Sequence, residues 1–266
     1  MRYNVRFIED SSEKSKSLLK TIKKARKEGK VAENFELLTG YSELVERDNE
    51  FVCTIVPAVH PSDQTARAVF SGLPELFRPP LSVITNVYTG KNLEKSEYYL
   101  VQKRNRKGVD QGQMQIATAS AGFIIYGMDA EETARKETEE EIGISVRDLI
   151  VCSDAMCRTS DGIVMHYLGP KRLKNPCFVY SFFVKSTLET RQNTFFINVG
   201  INEYRIVRTL KEIDNITEER NQEVFAACAV PVEKLEPLWQ EVYDARRIFG
   251  PSLEVVKNYL AGYAKD

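Results

Sequence analysis

Residues 121–144 read AGFIIYGMDAEETARKETEEEIGI, an apolar strand that turns into a short acidic helix. Asp129 is a residue type that caps helix N-termini, and Glu132 three positions later completes a capping box. Gly143 suits the left-handed position at which many helices end. Together these signals predict a helix over residues 130–142.

The predicted helix carries its negative charge at the unfavourable end. Glu139, Glu140 and Glu141 lie in its last turn, where the helix dipole is also negative, so each carboxylate costs about 0.3–1 kcal/mol. Glu137 shares a helix face with two of these acids and adds like-charge repulsion. A solvated acidic surface is one interpretation of this pattern. The other is that a cation binds here and relieves the crowding.

The spacing of these residues resembles the Nudix box, G-x5-E-x7-R-E-U-x-E-E-x-G-U, in which U is aliphatic. Six of its nine fixed positions match without a gap, namely Gly122, Glu137, Glu140, Glu141, Gly143 and Ile144. Three positions depart, because Met128 replaces the first glutamate, Lys136 the arginine and Thr138 the aliphatic residue. In the family that glutamate and arginine brace the loop against the helix. Their joint absence indicates the loss of one interaction, since lysine keeps the charge without a bidentate fork.

The resemblance implies an α/β Nudix fold, with a mixed β-sheet sandwiched between helices, over residues 81–266. Residues 1–80 are interpreted as an N-terminal extension or small subdomain, and residues 188–217 as an insertion into the Nudix domain. Apolar strand patterns agree with such a sheet, and they lie at residues 82–88, 97–103, 113–119, 146–152, 177–185 and 224–230.

The resemblance also implies metal-dependent hydrolysis of a diphosphate linkage in a nucleoside diphosphate joined to another group. Mg²⁺ or Mn²⁺ is the expected cofactor, because a divalent ion neutralises phosphate oxygens and activates water. The implied metal ligands are the carbonyl of Gly122 and the carboxylates of Glu137, Glu140 and Glu141. The implied catalytic residues are Glu137, Glu140 and Glu141, with Glu219 or Glu223 as the base.

Two alternatives to this activity stay open. The altered positions Met128 and Lys136 favour a catalytically impaired Nudix-fold domain that binds a nucleotide as a regulatory or scaffolding module. A basic helix predicted over residues 11–29 favours an RNA-end hydrolase, since such a helix can contact RNA, a membrane surface or an acidic partner. The same helix has a narrow apolar stripe by which it can simply dock on the protein.

The predicted insertion contains candidate substrate-binding residues, which are Arg191, Phe195, Tyr204 and Arg205. Aromatic rings beside arginines can stack on a base and hold phosphates. The same residues can equally form a strand and a helix packed on the edge of the domain.

Composition restricts the class of protein. The net charge of −1 argues against a protein that binds nucleic acid by overall electrostatic attraction. No apolar run approaches membrane-spanning length and no signal peptide is evident, and five cysteines without a CxxC pair favour reduced thiols. We therefore expect a cytoplasmic protein without a membrane partner that acts on a small nucleotide. Residues 1–80 are candidates for capping the substrate or for forming a homodimer.

Overall fold

The structure is a computed structural model that describes residues 4–32, 35–47, 50–60, 63–107, 114–152, 162–168, 173–217 and 224–263. Its strands are β1 (Asn4–Glu9), β2 (Leu38–Arg47), β3 (Glu50–Ala58), β4 (Ser82–Gly90), β5 (Tyr98–Lys107), β6 (Met114–Ala117), β7 (Ser120–Phe123), β8 (Ile150–Val151), β9 (Gly162–Leu168), β10 (Leu173–Lys185), β11 (Thr187–Arg191), β12 (Thr194–Val199), β13 (Asn202–Ile206) and β14 (Val224–Pro231). Its α-helices are α1 (Glu13–Lys27), α2 (Gln64–Val69), α3 (Ala130–Ile142), α4 (Leu210–Asp214), α5 (Val232–Asp244) and α6 (Leu253–Tyr263).

The strands form one large mixed sheet and one small sheet. The large sheet has the order β11-β12-β13-β14-β5-β4-β10-β8, with β6, β7 and β9 paired to β5, β4 and β10. Within it β10 runs parallel to β4, and β13 runs parallel to β14, whereas the other pairs are antiparallel. The small sheet has the order β1-β3-β2.

Both faces of the large sheet are covered. On one face α3 and the small sheet contribute Ala134 and Cys53 to the same buried cluster as Val87 of β4. On the other face Trp239 of α5 and Tyr259 of α6 pack with the sheet. The predicted α/β architecture, a mixed sheet covered on both faces and preceded by an N-terminal addition, is therefore confirmed. The strand predicted at residues 177–185 is buried along 177–184, as its apolar residues on both faces require.

The N-terminal residues are joined to the loop that precedes α3 by backbone hydrogen bonds. The amide of Thr39 donates to the carbonyl of Ile124 at 2.7 Å, and the amide of Tyr126 donates to the carbonyl of Leu37 at 2.8 Å. Helix α1 docks through a buried stripe at Leu18, Ile22 and Ala25, as its sequence pattern predicts. The boundary near residue 80 stays a prediction.

The strand predicted over residues 146–152 is wrong for most of its length. Only Ile150–Val151 pairs with β10. The carbonyls of Val146 and Leu149 instead accept hydrogen bonds from the Arg135 guanidinium of α3, at 3.2 and 2.7 Å. The Arg135 side chain therefore donates to carbonyls that would otherwise pair with a neighbouring strand. Most of the segment is a loop for this reason.

Candidate active site

Helix α3 begins and ends at the residues that its sequence predicts. The Asp129 side chain accepts a hydrogen bond from the amide of Glu132 at 2.7 Å, as an N-cap should. Gly143 ends the helix in the left-handed region with φ of 80°. These two local signals fix which turn of the helix presents each acid to the sheet.

The innermost acid of this helix, Glu141, is paired with an arginine of β5. One carboxylate oxygen accepts a hydrogen bond from Arg104. The other accepts from the Gln102 side chain at 2.9 Å and from the Ala121 amide at 3.2 Å. Glu141 is 6% exposed and Arg104 is 5% exposed, so water screens this ion pair very little.

Two opposing influences act on the charge of Glu141. Burial raises the pKa of this carboxyl above its ordinary value, whereas the Arg104 charge and the hydrogen bonds from Gln102 and Ala121 oppose that rise. The guanidinium itself is placed 4.8 Å from the centre of the Phe249 ring. At Glu141, therefore, Arg104 of the same chain supplies the cation that the crowded acids require.

A second acid, Glu137, lies directly against the backbone of Gly122. A methyl group built on Gly122 would lie 2.5 Å or less from the Cδ and both carboxylate oxygens of Glu137. A side chain at this position would therefore force the Glu137 carboxylate, the far end of a flexible side chain, to move away from the backbone. The structure brings these two predicted site residues together.

The outer acids are closer to solvent. Glu140 is 3.4 Å from the ammonium of Lys136, and their side chains are 56% and 40% exposed. An exposed pair with this i, i+4 spacing contributes only about 0.3–0.5 kcal/mol. The Glu139 side chain accepts from the Val146 amide at 3.4 Å. Lys136 therefore contacts an acid of the box without fixing it firmly.

The departure at Thr138 has a structural explanation. This residue is fully buried at a position where the box has an aliphatic side chain. Its hydroxyl donates to the carbonyl of Ala134 at 2.8 Å and lies 3.1 Å from the Ser120 hydroxyl and 3.3 Å from that of Thr85. Two hydroxyls from the sheet thus match the polar group on the helix, which satisfies its hydrogen-bonding capacity.

The predicted insertion packs against the C-terminal end of α3. The Tyr204 hydroxyl donates to the carbonyl of Ile142 at 2.6 Å, and the Asn202 side chain donates to the carbonyl of Gly143 at 2.6 Å. These carbonyls are among those that a helix leaves without internal partners. The prediction that Tyr204 contacts a substrate disagrees with this placement, because its side chain has no exposed surface.

The four residues predicted to bind substrate do not form one group. Arg191 lies over the Phe196 ring, and Phe196 opposes Arg205 across the strands, so both arginines are on the outer face. Phe195 and Tyr204 are on the opposite face, because neighbouring side chains of a strand alternate. On that face Tyr204 is buried, whereas Phe195 is 40% exposed and lies below the Arg208 guanidinium. A single nucleotide therefore has no common surface on which to contact all four.

Arg191 is also committed to acids of its own segment. Its guanidinium binds Glu189 at 2.5 and 2.7 Å and Glu203 at 2.8 Å. Its role in substrate binding has no support from these contacts. Glu219 and Glu223, the predicted bases, lie outside the described residues.

Tyr204→Phe should lower the free energy of unfolding by about 1 kcal/mol, because the Ile142 carbonyl loses its hydroxyl donor. Thermal or urea denaturation measures the change. Tyr243→Phe is a matched control, since Tyr243 is 41% exposed on α5 and its hydroxyl group is accessible to water. Equal stability of the two variants would contradict a role for Tyr204 in completing the end of α3.

Sequence reasoning missed Arg104 and Gln102. Both lie on β5 at alternate positions, so their side chains share the face that meets α3. In the sequence these two residues belong to an unbroken polar run over residues 102–107, so no alternation with apolar residues distinguishes them.

The acids of the box can bind a divalent ion, but with fewer protein ligands than the box predicts. Among the described residues, no three His, Cys, Asp or Glu side chains come together as a metal-binding group. Mg²⁺ needs only one or two carboxylates when substrate phosphates and water complete its coordination. Glu137 and Glu140 can supply these, whereas Glu141 is bonded to Arg104 and Gln102.

Comparison with protein families assigns the domain. A family model described as the NUDIX domain matches residues 83–249, more than half of the chain. The chain belongs to the Nudix family. The matched Nudix domain begins within β4, contains the box and the predicted insertion, and ends at Phe249, the residue whose ring contacts Arg104.

Several solved structures resemble the chain at low sequence identity. A NUDIX hydrolase from Nitrosomonas europaea is 13% identical with a TM-score of 0.40, over 70% of this chain and 90% of that one. An Ap4A hydrolase from C. elegans in a binary complex is 13% identical with a TM-score of 0.36, over 68% and 97%. MERS1 from T. brucei in complex with RNA is 12% identical with a TM-score of 0.39, over 76% and 69%. No curated protein matches the chain.

The helices can also be compared with the thickness of a bilayer. In the part of the chain that the structure describes, no helix is both long enough and apolar enough to span a membrane.

Proposed function

We propose that this Nudix domain is a pyrophosphohydrolase that cleaves a diphosphate linkage in a nucleoside diphosphate joined to another group. Mg²⁺ or Mn²⁺ is the proposed cofactor. The observation that supports this function best is the close approach of Glu137 to Gly122, which keeps a box acid against the strand before α3. A side chain at residue 122 would displace this carboxylate from the strand.

The bound ion would neutralise phosphate oxygens and lower the pKa of the attacking water, with Glu137 and Glu140 as its protein ligands. The remaining contributions come from the chain. The caps at Asp129 and Gly143 fix the helix on which both acids lie. The ammonium of Lys136 is close to Glu140 and partly exposed, so it can donate a hydrogen bond to a phosphate oxygen.

Hydrolysis should be detectable on a panel of dinucleotides, nucleotide sugars, nucleoside triphosphates and capped RNA, and EDTA should stop it. Glu140→Gln should lower kcat/KM on the best substrate on the order of tenfold, since it replaces a charged ligand by a neutral one of the same shape. Glu236→Gln is a control, because Glu236 is exposed on α5 on the other side of the sheet. Absence of turnover on the whole panel with either metal would reject the proposal.

The second candidate is a Nudix-fold domain that binds a nucleotide without hydrolysing it. The hydrogen bonds of Glu141 to Arg104 and Gln102 favour it, because they engage one of the three carboxylates among the four predicted metal ligands. Equilibrium dialysis with the same panel separates the two functions. Measurable nucleotide binding with no turnover in the presence of Mg²⁺ or Mn²⁺ supports the binding module.

A further inference from the structure

Helix α1 presents a row of lysines to solvent. Residues 13–30 contain eight Lys or Arg and two Glu, a net charge of +6 in a chain whose total is −1. We propose that this row binds the phosphate backbone of a nucleic-acid strand. The row, which we call the lysine face, consists of Lys16, Lys20, Lys23, Lys24 and Lys27. It lies outside the matched Nudix domain, so this binding goes beyond the proposed hydrolysis.

The lysine face is turned away from the buried stripe of the same helix. That stripe packs in the N-terminal core, where it shares a buried cluster with Phe70. Lys20 is two residues from Ile22, and Lys27 is two residues from Ala25, which is about 200° around a helix of 3.6 residues per turn. All five lysines are exposed. The apolar side of α1 is therefore fixed to the protein, and its cationic side faces water.

The middle of the lysine face has like charges without acids to neutralise them. Lys20, Lys23 and Lys27 form no ion pair with any residue in the described part of the chain. Their spacings of three and four residues place them side by side, where like charges oppose helix formation. The acids of the segment, Glu13 and Glu28, lie at its two ends and pair with other lysines. An anionic partner would relieve the repulsion.

A helix face that meets only water commonly alternates its charges and pairs them. Helix α6 does so, with the Lys257 ammonium 2.7 Å from the Glu254 carboxylate. Helix α1 departs from that pattern, because its arginine is used to hold the helix in place. The Arg26 guanidinium donates to the carbonyl of Phe35 and lies 5.5 Å from the centre of its ring. The lysines are the cations that this docking leaves in solvent.

The chemistry of the lysine face favours a nucleic-acid strand over a membrane or a protein. The face runs along about three turns of helix, and a nucleic-acid backbone repeats its negative charge along a line. A helix that lies in a membrane inserts its apolar side, which here is buried in the protein. Interfaces between proteins are depleted of lysine and enriched in aromatic residues. Residues 13–30 contain no aromatic side chain, so we expect phosphate contacts with little preference for sequence.

The test measures binding of the full-length protein to fluorescein-labelled single-stranded RNA and DNA of about 20 nucleotides, longer than common single-strand sites. Fluorescence anisotropy is recorded with EDTA present, so that metal-dependent hydrolysis cannot consume the probe, at salt concentrations from about 50 to 200 mM. The parent is compared with Lys20→Gln/Lys23→Gln/Lys27→Gln. The matched control is Lys91→Gln/Lys211→Gln/Lys234→Gln, which removes three exposed lysines outside the lysine face.

The lysine-face variant should lose affinity on the order of a hundredfold at the lowest salt concentration. The slope of log Kd against log salt concentration should fall by about 2, since each phosphate contact on a single strand contributes about 0.7. The control should stay within about twofold of the parent, and RNA and DNA should bind alike, because the contacts are to phosphates. Melting temperatures of both variants should match the parent, since all six lysines are exposed.

Three results would overturn the inference. One is absence of binding to either strand at the lowest salt concentration. The second is an equal loss in the two triple variants, which would make the attraction general to the protein. The third is lysine-dependent binding to vesicles of phosphatidylcholine and phosphatidylserine without binding to either strand, which would assign the lysine face to a membrane. Hydrolysis of a dinucleotide should be unchanged in the lysine-face variant, so this inference and the proposed function can fail separately.

Discussion

Arg104→Met should lower the free energy of unfolding by about 3–5 kcal/mol, because it leaves the Glu141 carboxylate buried without its cation. For a chain of this size the melting temperature should fall on the order of 10 °C. Circular dichroism on heating measures the change. The size of the effect depends on burial, since Glu141 is 6% exposed and Arg104 is 5% exposed.

Adding Glu141→Gln to Arg104→Met separates the effect of the buried charge on stability from the effect of lost packing. Arg104→Met/Glu141→Gln should recover about half of the lost stability, since the buried charge is removed while the Gln side chain can still accept from the Ala121 amide. Arg191→Met is the matched control, because Arg191 also binds two acids but is 53% exposed. Its melting temperature should equal that of the parent. A loss in Arg191→Met as large as in Arg104→Met would contradict the argument from burial.

Gly122→Ala should reduce turnover of the best substrate by on the order of a hundredfold, because the new methyl group displaces the Glu137 carboxylate from the backbone. Accommodating the methyl group at this half-buried position should also cost about 1 kcal/mol of stability. Steady-state kinetics and thermal denaturation measure the two effects separately. Mn²⁺ affinity should fall with turnover, since Glu137 is a proposed ligand.

Two further variants identify the cause of that loss. Gly122→Ala/Glu137→Ala should regain the stability of the parent without regaining activity, because the overlapping carboxylate is gone. Gly72→Ala is a control for the substitution itself, since a methyl group at Gly72 would meet no atom within 4 Å. If the double variant is as unstable as Gly122→Ala alone, the overlap with Glu137 is not the cause.

The helix that carries the acids could be predicted to the residue because its signals are local. Asp129 and Gly143 act through the backbone within one turn, so their meaning does not depend on the rest of the fold. The need for a cation near Glu141 could also be predicted from the dipole. Its source could not, because Arg104 reaches Glu141 only through the register of a strand far away in sequence.

The predictions for the insertion show a different limit. Residue types suggested base stacking and phosphate binding, but adjacent residues such as Tyr204 and Arg205 must face opposite sides of a strand. The period-two alternation was sufficient to separate them. It was not sufficient to show that the strand face that carries Tyr204 meets the C-terminal end of α3. That contact depends on how the sheet curves around the helix.

The bonds between the N-terminal residues and the loop before α3 bear on how the protein is made on the ribosome. Thr39 emerges long before its acceptor Ile124 has been synthesised, and Leu37 long before its donor Tyr126. Although N-terminal regions commonly fold first during translation, these two hydrogen bonds cannot form until the start of the box has been synthesised. The nascent chain therefore exposes the apolar side of β3 for much of its synthesis, including Phe51 and Ile55. Chaperones that bind extended apolar segments have their longest opportunity to act during that interval.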